Sequence, residues 1–194
     1  KAISMFIHSI QSFLPATYLS VNDIIGISSD SIAGFDETES LIEHYGKNLC
    51  LQNISLAEGV SDEEMLISIV SELLLKNAIA PDEVDGILFV QEEINYQTKQ
   101  LPHLIQSKLK LKNAFVFQLT GNHCVNFELG LKVSNGLMLE ESGIDRILII
   151  AVQKIAEHSN RIMGKHAILG DGAGAVLVDR NYGKLEYISS SMNA

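Results

Sequence analysis

The sequence predicts an α/β layered fold with a mixed sheet, and three observations carry that prediction. Short apolar runs of strand length alternate with segments whose apolar residues recur at helical spacing. Two of the runs, Gly86 to Val90 and Arg146 to Val152, are almost wholly apolar, as strands covered on both faces are. No solenoid-type repeat, low-complexity run or long linker interrupts the alternation in the 194 residues. Helices layered on a sheet are the stable arrangement for such a chain.

In chain order, Ala2 to Phe13 is a first strand, closed by Pro15. The apolar run from Lys1 to Leu14 superficially resembles a short signal peptide. His8, Ser9, Gln11 and Ser12 interrupt it, and no small-residue cleavage site follows, so it reads as a strand. Residues 20–60 are the least legible, with a short helix expected from Glu37 to Tyr45. Ser61-Asp62-Glu63-Glu64 is a capping-box signature, and Met65, Ile69, Leu73 and Leu74 follow at helical spacing until Pro81 stops the helix. Gly86 to Val90 is a buried strand, His103 to Leu109 a short helix and Ala114 to Leu119 a strand. Cys124 to Glu141 is a long helix with a buried stripe of Val125, Leu129, Val133, Leu137 and Met138, ended by Gly143. Arg146 to Val152, Ala173 to Val178 and Lys184 to Ser189 complete the strands, the last two as a closing pair.

Composition narrows the function classes. A formal charge of −10 opposes nonspecific nucleic-acid binding, which draws its affinity from a basic surface. The local exception is Lys99, His103, Lys108, Lys110 and Lys112, read either as a solvated helix face or as a docking patch for an acidic partner or a phosphate-bearing cofactor. No apolar segment approaches the 18 residues of a membrane-spanning helix. Two cysteines, Cys50 and Cys124, rule out a disulfide framework, and their spacing to the six histidines is not that of a metal site. One disulfide between them stays open, and a reduced, cytoplasmic setting is the expectation.

Cys124 is the residue with chemistry to offer. A cysteine is often an inert core thiol. This one stands where a strand ends, a glycine-containing turn follows and a long helix begins. Unpaired N–H groups and the positive end of the helix dipole favour the thiolate there. The same N–H groups suit an oxyanion on a thioester carbonyl. His123 precedes the thiol, with a side chain expected to point away from it. His158 and His166 flank an irregular segment, where surface roles are expected. The second motif, Leu169-Gly170-Asp171-Gly172-Ala173-Gly174-Ala175-Val176-Leu177-Val178, runs into a strand. A dinucleotide loop must open a helix, so the glycines read instead as close backbone packing.

Together, Phe117 to Cys124 and, about 45 residues on, Gly170-Asp171-Gly172-Ala173-Gly174-Ala175 resemble the thiolase-fold condensing enzymes, closest to the β-ketoacyl-acyl-carrier-protein synthase III group. Tyr18 and the run Arg146 to Val152 support the resemblance. It implies a single N-terminal domain over residues 1–194: one thiolase-like βαβαβαββ half with a mixed five-stranded sheet. The half of the family that supplies a histidine and an asparagine is not represented. It implies that Cys124 accepts an acyl group from coenzyme A or acyl carrier protein, the phosphopantetheine thioester being substrate rather than a resident cofactor. No metal is implied. The expected partners are a second subunit, as homodimer or heterodimer, with Gln91 to Pro102 crossing the interface. Nucleic acid and membrane are not expected partners. His123 and Asn122 depart from the small residues usual before the cysteine, and no tryptophan is present. Residues near Gly46 depart from the family pattern for coenzyme A recognition. A noncatalytic thiolase-fold subunit acting in dimerisation or carrier binding is the alternative.

Overall fold

The computed structural model describes residues 4–28, 38–92, 98–121, 125–163 and 166–189, and it resolves into two compact units. The first comprises 1–13, 62–152 and 173–194; the second comprises 14–61 and 153–172.

The first unit is built on a six-stranded mixed sheet. Its strands are β1 (Met5–Phe13), β4 (Gly86–Val90), β5 (Phe115–Leu119), β6 (Arg146–Gln153), β9 (Gly172–Asp179) and β10 (Leu185–Tyr187). Their order is β10-β1-β9-β6-β4-β5. Strand β4 runs parallel to β5 and β6, whereas β1 is antiparallel to β9 and β10. The sheet therefore has one strand more than the five expected, the short β10 at its edge. The closing strands are also not a pair with each other: β1 lies between them, with Ile10 opposite Val176 and Ile7 opposite Leu185. Register slips between Ile7 and Ser9, which makes His8 a bulge.

All five residues of β4 are buried, which accounts for a strand with no polar side chain. Met5, Leu88, Val90, Ile147, Ile149, Val176 and Val178 form one core with Met138 of α5 (Asn126–Glu140). Each such side chain contributes about 1.5–3 kcal/mol on burial. The neighbouring Gln11 on β1 faces the other way and donates to Glu72 of α3 (Asp62–Lys76) at 2.8 Å. Helices thus lie on both faces.

Two expectations for the helices change. Helix α3 ends at Lys76, ahead of Pro81, which instead opens a 3₁₀ turn (Pro81–Glu83). The stop is a Schellman turn: Ile79 N–H donates to Leu74 C=O at 3.0 Å and Ala78 N–H to Leu75 C=O at 3.2 Å, with Ala78 at φ 52°. Lys110 (φ 58°) closes α4 (Leu101–Lys108) in the same way, with Leu111 N–H donating to Gln106 C=O at 2.9 Å. In α5 the buried row is Asn126, Gly130, Ser134 and Met138. Of the expected stripe only Met138 is buried; Leu129, Val133 and Leu137 are half-buried and Val125 is exposed. The reason is close approach. A Cβ on Gly130 would meet Ile149 and Val90 at 3.3 Å each, so a glycine takes the closest position against the sheet while Leu131, Val133 and Leu137 pack at the flanks of the core, half-buried.

The second unit fills the stretch that was hardest to read. Strand β2 (Thr17–Ser20) pairs antiparallel with β3 (Asn53–Leu56), and β7 (Ile162–Met163) with β8 (Ala167–Ile168). Helix α1 (Val21–Ser28) starts at Ser20, whose Oγ accepts the Asp23 N–H at 3.1 Å, an N-cap. Helix α2 (Thr38–Glu43) runs on into one wide π turn, His44–Asn48. Val21, Ile24, Ile25, Leu41, Tyr45, Ile54, Leu56 and Ile168 make a separate core. Burial pushes the Tyr45 hydroxyl above its ordinary pKa, and that hydroxyl donates to Ala167 C=O at 3.3 Å.

Candidate functional site

Cys124, with Asn122 and His123, lies outside the described residues. What is described is the framework on either side. Strand β5 ends at Leu119, as the sequence predicts, and α5 runs from Asn126, two residues after the helix start expected at Cys124. Gly121 takes φ +87°, a conformation that L side chains rarely adopt. Its N–H donates to Glu92 C=O at 3.3 Å, and the Thr120 hydroxyl donates to the same carbonyl at 2.9 Å. Gln91 N–H donates to Leu119 C=O at 3.1 Å. Beyond the junction, Asn126 Nδ2 donates to Gln91 C=O at 2.7 Å. The two residues following β4 therefore bond to both flanks of the segment that carries Cys124.

The glycine motif belongs to a different construction. Gly170-Asp171 leads into β9, a strand and not a helix, as its sequence predicts. Close packing holds at Gly170, where a Cβ would lie 3.1 Å from Ser55 Oγ and 3.4 Å from the Ser55 backbone. It does not hold at Gly174, where a Cβ would meet nothing within 4 Å. Asp171 is buried and fully engaged. Its carboxylate accepts from Ala57 N–H at 2.9 Å, Ile155 N–H at 3.0 Å, and both terminal nitrogens of Arg161 at 2.8 and 3.0 Å. Its backbone exchanges two bonds with Ser55: the hydroxyl donates to Asp171 C=O at 2.6 Å, and Asp171 N–H donates to Ser55 C=O at 2.8 Å. Arg161 also donates to Ile155 and Leu169 carbonyls at 2.6 and 3.2 Å. Burial pushes the Asp171 carboxyl up, but the Arg161 guanidinium and the two N–H donors outweigh it, leaving the carboxyl below its ordinary value. Sequence reasoning named Asp171 only as part of a motif and missed Arg161. The available signal was an arginine ten residues before an aspartate flanked by glycines.

The remaining candidates are peripheral. Lys99, His103, Lys108, Lys110 and Lys112 are exposed, and Lys108 pairs with Glu63 at 2.9 Å. His166 is exposed, whereas His158 is half-buried with its Nδ1 enclosed, against the surface role expected. Cys50 is a free, exposed thiol. Among the described residues no three His, Cys, Asp or Glu side chains gather as a metal site, and no helix is long and apolar enough to cross a membrane.

Solved structures share this fold. The 3-oxoacyl-[acyl-carrier-protein] synthase III of Aquifex aeolicus VF5 superposes with a TM-score of 0.69 at 21% identity, over 91% of this chain and 54% of its own. ChlB3, an acyltransferase, gives 0.74 at 18% identity over 93% and 52%. The fold is thus the mixed α/β thiolase-like one. The sequence carries the relationship further. Residues 120–194 match the family model for 3-oxoacyl-[acyl-carrier-protein (ACP)] synthase III. The β-ketoacyl-[acyl-carrier-protein] synthase III of Wolbachia pipientis wMel is 26% identical over 96% of this chain and 56% of its own length. Synthase III 2 of Halalkalibacterium halodurans is 32% identical over 64% of this chain and 37% of its own. The chain thus has the thiolase-like fold and is similar in sequence to the synthase III condensing enzymes, and it spans about half the length of the Wolbachia relative.

Proposed function

We propose that this chain is the N-terminal half of a cysteine-dependent acyltransferase of the synthase III type, with Cys124 as nucleophile. One observation carries the reading: a cysteine at the β5–α5 junction of a thiolase-like sheet, in a chain whose relatives are synthases III. The Cys124 thiolate attacks the carbonyl of an acyl thioester of coenzyme A or acyl carrier protein. The acyl–sulfur bond of the donor breaks, a new thioester forms on Cys124, and the released thiolate takes up a proton. Transfer to a carbon nucleophile is condensation, and transfer to oxygen or nitrogen is the variant chemistry. Splitting one hard transfer into two thioester exchanges is the advantage of covalent catalysis. No described residue is assigned the histidine or asparagine of the family's other half. A reduced, cytoplasmic setting suits the free Cys50 thiol and a nucleophilic Cys124.

A second subunit fits the sheet. Among the described residues β5 pairs only with β4, and it is an apolar edge strand with Phe117 half exposed. Edges of that kind invite pairing with another chain. His123 and Asn122, bulkier than the family's usual residues, favour the alternative of a noncatalytic subunit in dimerisation or carrier binding.

Intact-mass analysis after incubation with an acyl thioester donor decides between them. One acyl group is expected on the wild-type protein and none on Cys124→Ala. Equal labelling of both removes Cys124 from the mechanism, and no labelling of either favours the noncatalytic subunit.

A further inference from the structure

We propose that Asn126 is a positioning residue for Cys124, acting through a hydrogen-bonded stitch between the first turn of α5 and the end of β4; this rests on Cys124 being the nucleophile. Asparagine is a poor choice for a buried helical position on packing grounds alone. It is among the weaker helix formers, and an enclosed carboxamide costs about 1–3 kcal/mol unless it is bonded. Asn126 is nonetheless only 3% exposed, in the row of α5 that faces the sheet. Its bond has a specific target, the Gln91 carbonyl at 2.7 Å.

That carbonyl belongs to the first residue past β4, and the N–H of the same residue is held by Leu119, the last residue of β5. The next carbonyl, Glu92, takes the Thr120 hydroxyl and the Gly121 N–H. The chain end of β4 is therefore a common anchor. Gly121, three residues before Cys124, is bonded to it from one side, and Asn126, two residues after, from the other. Both attachments are directional, so together they fix where the junction starts and where the helix takes over. A nucleophile that depends on helix N–H groups depends on that registration, because a displacement of about 1 Å at a reacting centre can cost on the order of 100-fold in rate.

The test uses the Cys50→Ser background, in which Cys124 is the sole thiol. Two quantities are read: iodoacetamide alkylation of Cys124 across pH, and amide hydrogen exchange at the start of α5. Asn126→Leu keeps the side-chain size and removes the donor. It is expected to speed exchange in the first turn of α5 about tenfold, slow alkylation at neutral pH about fivefold and move the midpoint of the pH–rate profile upward. Asn126→Gln is expected to restore part of each. Thr120→Val, at an exposed position, removes the hydroxyl that donates to the Glu92 carbonyl, and a smaller change in the same direction is expected. Unchanged exchange and an unchanged pH profile in Asn126→Leu and Thr120→Val overturn the proposal. If Asn126→Leu does not fold, an unchanged Thr120→Val alone overturns it. A parent protein whose Cys124 alkylates no faster than a model thiol refutes the nucleophile itself; exchange that still speeds up in Asn126→Leu then shows a stitch that orders the turn without serving catalysis, which also overturns the positioning role.

Discussion

Strand β9 is bracketed by two aspartates, each paired with an arginine, and the two ends are built differently. Asp171, just before the strand, pairs with Arg161, and the side chains are 2% and 3% exposed. Asp179, its last residue, pairs with Arg146 at 2.7 Å; the aspartate is equally buried but the arginine is 29% exposed. Arg161 gives both terminal nitrogens to one carboxylate and two carbonyls. Arg146 divides itself, Nε to Asp179 and a terminal nitrogen to Glu83 at 2.7 Å. Asp179 takes its other bonds from Asn181 and Tyr182 N–H groups at 2.7 and 3.1 Å, residues of its own turn. Asp171 instead ties together segments about 100 residues apart, from Ala57 on one side to Ile155 and Arg161 on the other. One pair closes a turn beside solvent, and the other is the polar centre of a unit. A buried charge with one partner removed has nowhere to go, whereas an exposed one rehydrates.

The largest effect is therefore expected from Asp171→Asn. It leaves the Arg161 guanidinium enclosed beside a neutral amide that must still face two N–H donors. The cost is about 3–5 kcal/mol, or a fall of roughly 10 °C in melting temperature for a chain of this size. Because the Asp171 pKa is depressed on folding, its stabilising contribution is complete above the ordinary aspartate range, near pH 3.9, and is lost as pH falls through the lower folded value. Asp171→Asn should flatten the acid limb of a stability–pH curve measured by urea unfolding. Asp179→Asn should cost less, about 1–2 kcal/mol, since the amide oxygen still accepts from the turn and Arg146 keeps Glu83 and water. Equal losses at the two positions would show that burial of the arginine is not what separates them.

The contrast between the two ends also marks what can be read without a structure. The strands β4, β5, β6 and β9 are legible because long apolar runs with turn residues at their ends have few other uses. The unit built from residues 14–61 and 153–172 is not, because its strands have two to four residues and its core joins side chains from both stretches, distant in sequence. Helix ends fail for a related reason. Ala78 and Lys110 occupy left-handed positions that the sequence signals for glycine, so no local cue announces either stop. The site divides similarly. The junction around Cys124 follows from a strand, a glycine and a helix in order. Arg161 and Asn126 acquire their meaning only from carbonyls and carboxylates that the fold brings to them.

The smallest effects should appear at two glycines near the same end of β9, and they sharpen the comparison from the packing side. Gly170→Ala places a methyl 3.1 Å from Ser55 Oγ. That hydroxyl is not free to swing aside without giving up its bond to Asp171 C=O, and the Ser55 backbone at 3.4 Å is itself bonded to Asp171 N–H. A loss of about 1–2 kcal/mol is expected, as in overpacked cores. Gly174→Ala, four residues on in the strand, adds the same methyl in open space at a backbone conformation that alanine accepts. A change within about 0.5 kcal/mol is expected, with either sign. Urea unfolding of the two variants reads the difference. If Gly170→Ala is as neutral as Gly174→Ala, the Ser55–Asp171 contact yields easily, and the Arg161 pair alone distinguishes this end of β9.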